Sequence, residues 1–388
     1  LSDCNNLFQN VTGSGDRPIE YYNYSVNLEN KTLSELILCN ASSSNITNIT
    51  ISDSDTYKNN GLFVYYTNNS NFRNINSSYN RNGIQLSSSS FNTLQNITAN
   101  SNQYSGIYLG FSSSNTLQNI TANSNQYSGI YLGSSSSNTI QNITANSNNR
   151  GIYLLFSSSN TLHNITLSFN DYGIFLHSSS FNTLQNITAN SNSQYGIYLS
   201  SSSFNTLQNI TANSNEDGIF LHSSSFNTLQ NITANSNSQY GIYLGFSSSN
   251  NITDSTITSN SNYGIYISAF DSDNNLFYNN YLNNTNNFYI DSGADNYWNT
   301  TLNCSSGPNT IGGPCIGGNY WAKPDGTGFS DNCSDSNGNG ICDSSYTLGN
   351  NNIDYHPLSA TPIIINLESP ADNAVNTTTR KPYFTFNV

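Results

Sequence analysis

A glycine recurs through the middle of this chain every 22 or 23 residues, at Gly61, Gly83, Gly106, Gly129, Gly151, Gly173, Gly196, Gly218, Gly241 and Gly264. A fixed period of this size marks a solenoid, and it outranks every other signal. Within a unit the apolar positions are sparse and regular: Leu94, Ile97, Ala99, Ile107 and Leu109 return as Leu117, Ile120, Ala122, Ile130 and Leu132. The alternation at 97/99 and at 107/109 has period 2, so both stretches read as short strands with one buried face. Nothing shows helical periodicity, and Asn, Ser and Gly supply the turns. So small a unit cannot bury its apolar side chains alone. Stacked on its neighbours it becomes one coil of a parallel β-helix, rising roughly 4.8 Å per coil.

Stacking turns each repeat position into a column. Leu94, Leu117, Ile140, Leu162, Leu184, Leu207 and Leu229 point inward, as does the column from Ile97 to Ile232. A polar column runs through Asn80, Asn102, Asn125, Asn148, Asn170, Asn192, Asn215, Asn237 and Asn260. It is expected to form a ladder that closes the backbone groups left open by a bend.

The six cysteines, Cys4, Cys39, Cys304, Cys315, Cys333 and Cys342, all lie outside the repeats. Their even number and terminal placement read as disulfides stapling end caps in an oxidising compartment. The expected pairs are Cys4–Cys39, Cys304–Cys315 and Cys333–Cys342, one of the 15 connectivities that six cysteines allow. The chain therefore divides into an N-terminal cap with irregular coils (1–50), the β-helix (51–303) and a C-terminal cap (304–360). The last segment (361–388) reads as the start of an immunoglobulin-like module, or as strands completed by a neighbour. Charged residues make up only 8% of the chain, with a net charge of −13, which argues against nucleic acid as a partner. No apolar run reaches the roughly 20 residues of a membrane span. The absence of Met, even at position 1, is read as a targeting peptide already removed.

Chemistry-bearing residues are few. Between Gly83 and Gly264 the acidic residues are Asp171, Glu216, Asp217 and Asp254, and the one basic residue is Arg150. Asp171 and Glu216/Asp217 fall at one repeat position two coils apart, a marginal fit to an inverting carboxylate pair. His177 and His222 share another column. Near-identical repeats rarely build a unique site, so no catalytic residue is assigned. Three sets of residues remain as site candidates. Tyr108, Tyr131, Tyr153, Phe175, Tyr198, Phe220, Tyr243 and Tyr266 alternate with inward residues and form an outward aromatic stripe. That stripe is a surface for stacking sugars, a contact for another subunit or surface protein, or simple strand propensity. Asn96, Asn119, Asn142, Asn164, Asn186, Asn209 and Asn231 repeat in register as outward N-glycosylation sequons, and N-linked glycans are expected there. Asp335, Asn337, Asn339, the Ile341 carbonyl and Asp343 match positions 1, 3, 5, 7 and 9 of a calcium loop. Tyr346 replaces its bidentate carboxylate, so a structural Ca²⁺ of modest affinity is expected.

The coils resemble the right-handed parallel β-helix repeats of the NosD-like and pectate-lyase-like superfamily. The run Gly317-Gly318-Asn319-Tyr320-Trp321, with Asp335 to Asp343, Tyr346 and Asp354-Tyr355-His356-Pro357-Leu358, resembles the C-terminal segment of NosD-like surface proteins of archaea and bacteria. The resemblance implies an all-β, right-handed parallel β-helix of about 11–13 coils. NosD itself is tied to copper delivery, but this chain has no Met, four scattered His and Cys confined to its ends, and so lacks a soft-ligand cluster. The expected role is a secreted, glycosylated structural or adhesive cell-surface protein, such as a sheath, surface-layer or filament subunit that associates with itself. The alternative is a carbohydrate-binding or polysaccharide-processing β-helix.

Overall fold

The computed structural model describes residues 4–52, 58–268, 271–291, 293–349 and 351–360. The expectation for 361–388 lies outside them. The chain folds as a right-handed parallel β-helix. Each regular coil adds one strand to a 13-stranded and one to a 15-stranded parallel sheet. Two late coils give the longer sheet two short strands each, Asn251–Thr253 with Thr256–Thr258 and Leu276–Tyr278 with Tyr281–Asn283. The first sheet is built from the Gly-Ile-Tyr-Leu phrases, such as Ser128–Gly133, and the second from the Leu-Gln-Asn-Ile-Thr phrases, such as Thr116–Thr121. Register is exact between like residues: Ile130 pairs with Ile107 and Ile152, and Leu117 with Leu94 and Ile140. A slip of one residue would turn every apolar side chain outward, so the alternation itself holds the register.

The narrow core contains the inward columns expected from the repeat. Leu94, Ile97, Ala99, Ile107 and Leu109 are no more than 1% exposed. The anchor glycine has a steric cause. A Cβ at Gly129 would lie 2.7 Å from the carbonyl oxygen of Gly151 in the next coil, and the same clash recurs at each anchor from Gly61 to Gly241. Only a bare backbone can pass so close.

The bends are tied by side-chain ladders. The backbone N–H of Asn102 donates to Oδ1 of Asn125 at 2.9 Å, and that of Asn125 to Asn148 at 2.8 Å. This is the polar column read from the sequence. A second buried ladder, not singled out from the sequence, runs through Asn92, Asn115, Asn138, Asn160, Asn182, Asn205, Asn227 and Asn250 with N–H···Oδ1 distances of 2.8 Å. Each ladder satisfies a backbone group buried at a corner where no strand can reach it.

The end segments join the stack. Ile19–Tyr22 and Asn27–Leu33 are the first strands of the two sheets, and Tyr320–Ala322 is the last strand of the longer one. The boundaries placed at 50/51 and 303/304 therefore fall within continuous sheets. The disulfides are Cys4–Cys39, Cys304–Cys315 and Cys333–Cys342. At the C-terminal end Trp298 and Trp321 close the core, with ring centroids 5.7 Å apart. Asp354 locks this lid: its Oδ2 accepts from the Trp321 indole N–H and the Asn319 backbone N–H, both at 2.8 Å. Gly318 must be glycine, because a Cβ there would sit 1.8 Å from Asp354 Oδ1. Burial pushes the Asp354 carboxyl up to about 7 against the pull of these donors.

Candidate functional site

The aromatic stripe lies on the outer face of the 13-stranded sheet. From Tyr108 through Tyr131, Tyr153, Phe175, Tyr198, Phe220, Tyr243 and Tyr266 to Tyr289, successive ring centroids are 4.1–5.4 Å apart. The period-2 strand aims these rings outward, and the coil rise sets their separation. Burial among the other tyrosines pushes the Tyr131 hydroxyl up to about 12, so it stays protonated at neutral pH and can donate as well as accept.

A second column, missed in the sequence, stands beside the stripe at the turn entering each strand. Tyr104 N–H donates to the Arg81 carbonyl at 2.7 Å, Tyr127 to Tyr104 at 2.9 Å, and Arg150 to Tyr127 at 2.9 Å. Stacked one per coil by these contacts, the residues run in the order Arg81, Tyr104, Tyr127, Arg150, although Arg150 pairs in strand register with Ser128, the residue after Tyr127. The Arg81 guanidinium lies 5.2 Å from the Tyr104 ring centre, and that of Arg150 5.0 Å from Tyr127. Tyr104 and Tyr127 are 44% and 45% exposed. With Tyr108 and Tyr131 they line a shallow cleft of ≈ 190 Å³, with Arg81, Asn82 and Ser105 at its edge. The available signal was position: these residues stand one or two before an anchor glycine, where the repeats differ most.

In later coils the same edge carries Tyr172, Tyr195, Asp217, Tyr240 and Tyr263. Asp217 is only 5% exposed; burial pushes its carboxyl up to about 7, offset in part by the Tyr240 N–H that donates to it at 3.0 Å. Asp171 is not in register with it: Tyr172, not Asp171, pairs with Tyr195, which pairs with Asp217. The Asp171 carboxylate accepts instead from Asn149 and Ser193. Asp217 thus stands in a neighbouring column, whereas the exposed Glu216 falls in the Asp171 column two coils on, with Gln194 between them. His177 and His222 flank Ser200 in one column and pack against Phe175 and Phe246 respectively.

The Asn column lies on the outer face of the other sheet. Asn96, Asn119, Asn142, Asn164, Asn186, Asn209 and Asn231 are exposed, each with φ between 53° and 56°. Asn is one of the few residues at ease in that left-handed conformation. Each Nδ2 donates to the Oδ1 one coil back, at 2.9–3.3 Å. In the calcium-like loop, Asp335 Oδ2 accepts from Gly340 N–H at 2.8 Å and Asn339 Oδ1 from Ile341 N–H at 2.9 Å. Asn337 Oδ1 accepts from Asn339 N–H, while Asp343 accepts from Ser336. Tyr346 packs on Phe329 with centroids 4.6 Å apart. Among the described residues no three His, Cys, Asp or Glu side chains are grouped to hold a metal ion.

A family model described as periplasmic copper-binding protein (NosD) matches residues 140–326, and one described as a right-handed β-helix region matches residues 35–189. No curated protein sequence matches. Among solved structures, the A-module of the Azotobacter vinelandii mannuronan C-5 epimerase AlgE6 is similar at TM-score 0.54 and 13% identity, covering 72% of this chain and 91% of that one. A double mutant of the periplasmic alginate epimerase AlgG is similar at TM-score 0.51 and 14% identity, covering 65% of this chain and 75% of that one. These likenesses show the fold. Among the described residues no site fits copper: all six cysteines are in disulfides, the sequence has no Met, and His163 is bonded to Asn186.

Proposed function

This chain is a NosD-like right-handed parallel β-helix repeat protein, and we propose that it is exported and holds a polysaccharide along the aromatic face of its 13-stranded sheet. The observation that carries the proposal is the Arg81–Tyr104–Tyr127–Arg150 column beside the tyrosine stripe. A stripe alone follows from strand propensity. A second, exposed aromatic column with a cleft between the two does not, because neither fold nor core requires it. Paired tyrosines present apolar ring surface and hydroxyls together, which suits the CH faces and hydroxyls of a sugar. The same scaffold serves the two epimerases above; that likeness supports the scaffold's use, and the residues support the site. Export is supported by the three disulfides and by the family model's description as periplasmic.

The proposal is adhesion, not catalysis: Asp217 is buried, the Asp171 carboxylate is held by Asn149 and Ser193, and Glu216 is separated from Asp171 by Gln194 of the intervening coil. Affinity electrophoresis through gels containing polysaccharides tests it. The chain should be retarded by at least one polymer, and Tyr104→Ala with Tyr127→Ala should restore free mobility. Unretarded migration across a broad panel, or retardation indifferent to both substitutions, would remove the reading. If glycans are attached during export, the Asn96 column should carry them at alternate coils at most. A hexose is wider than the roughly 4.8 Å between coils, and the Asn–Asn bonds leave the sites no splay. Glycopeptide mass spectrometry showing sugars on both Asn119 and Asn142 of one molecule would contradict this.

A further inference from the structure

Arg150 is an unusual residue for its place. Its guanidinium is surrounded by four rings, with centroids at 5.0 Å (Tyr127), 4.8 Å (Tyr153), 5.6 Å (Tyr172) and 5.7 Å (Phe175). Its Nε and Nη1 are shielded from solvent and have no hydrogen-bond partner. Among the described residues the ion pair present is Lys31–Glu20, so neither Arg150 nor Arg81 is matched by a carboxylate. Yet the chain holds 22 acidic residues against nine basic ones. A guanidinium carries five donors and a permanent charge. Ring faces can hold such a cation in place, but they leave its donors unused.

The charges are also segregated. Residues 58–170 contain Lys58, Arg73, Arg81 and Arg150 and no Asp or Glu at all. These coils form a positive zone within a chain of net charge −13. At physiological ionic strength, screening over about 8 Å lets such a zone act apart from the acidic ends. Lys58 lies on the same edge as the two arginines, its ammonium donating to the Tyr79 carbonyl at 3.0 Å. Arg81 thus lines one end of the cleft, and Arg150 stands beyond its other end against Tyr127, three coils or roughly 14 Å from Arg81.

We infer that the polysaccharide is acidic, and that Arg150 and Arg81 receive the carboxylate or sulfate groups of its sugars while Tyr104 and Tyr127 receive the rings. This rests on the reading of the face as carbohydrate-binding and adds the class of carbohydrate to it. The test is titration calorimetry of the intact chain with oligogalacturonate, with oligomers of dextran sulfate and with neutral dextran oligomers, at low and high salt. At least one acidic oligomer should bind more tightly than dextran, and more weakly as salt rises. Arg150→Gln and Arg81→Gln should each lower that affinity about tenfold, the range of a charge-assisted hydrogen bond, and flatten its salt dependence. Dextran binding should be unaltered. Arg81 is exposed, so its variant reports on binding even if Arg150→Gln unsettles the aromatic column. A response to oligogalacturonate alone identifies carboxylate, and to dextran sulfate alone sulfate. Equal binding of acidic and neutral oligomers, or indifference to both substitutions, overturns the acidic class and leaves the sugar face standing. Silence of all three overturns both.

Discussion

The two long sheets are built from one repeat, yet their outer faces have diverged. On the 15-stranded sheet most central coils present the same Thr, Gln, Asn and Thr, as in Thr116, Gln118, Asn119 and Thr121, with His163 and Arg73 as exceptions at the Gln position. These side chains bond up and down their own columns, as Gln185 does with Gln208 at 3.2 Å. Along the edge where the chain enters the 13-stranded sheet the residues change from coil to coil, from Arg81 and Arg150 to Tyr195 and the buried Asp217. A face that meets only water and its own neighbours is served by any residue that ladders well, and repetition persists there. A face that meets a ligand needs different groups at different heights. On the proposed reading, variation within the repeat marks the functional face and regularity the structural one.

This contrast can be broken in several places. Leu132 is fully buried in a central coil, and Leu132→Ala should cost about 2–5 kcal/mol in urea unfolding while leaving sugar affinity in the folded protein intact. The pH dependence separates the faces next. The folded carboxyl of Asp217 is raised to about 7 from 3.8, so between those values the fold keeps a proton that the unfolded chain has lost. Stability should fall as pH rises from about 4 to about 7 and then level off, by on the order of 1–4 kcal/mol. Asp354 adds to it in the same window. Asp217→Asn should remove its share, and an unchanged profile of melting temperature against pH would show the carboxyl to be solvated. Tyr127→Ala should lower polysaccharide affinity about tenfold, roughly 1.4 kcal/mol, with little change in melting. Smallest of all, Gln118→Ala on the opposite face should alter stability by less than about 0.5 kcal/mol and affinity not at all.

Most of the fold was legible because its physics is local and repeated. The Leu and Ile columns, the anchor glycine and the Asn102–Asn125 ladder each announce themselves once per coil. The second ladder through Asn115 and Asn138 was hidden in Ser-rich turns, where composition alone accounts for an asparagine. The Asn96 column shows how one signal can carry two causes: a sequon and a left-handed residue both call for asparagine. The lid at the C-terminal end was legible as a disulfide-stapled cap, but its contacts were not. Its contacts join Gly318, Asn319 and Trp321 to Asp354, and no periodicity links residues so far apart. The Arg–Tyr–Tyr–Arg column was overlooked because attention to what repeats passes over what does not. The loop from Asp335 to Asp343 has the spacing of a calcium loop, but spacing is silent about hydrogen bonds, and its oxygens accept from their own backbone and from Ser336.

The most direct test of the account is hydroxyl-radical footprinting with and without the polysaccharide that retards the chain, read by peptide mass spectrometry. Tyr104 and Tyr127 should become protected, while Tyr297 and Tyr355, each 60% exposed near the C-terminal end, should label as before. Protection confined to the Asn96 face or to the C-terminal end, with Tyr104 and Tyr127 labelled equally in both states, would contradict the assignment of the aromatic face as the binding surface.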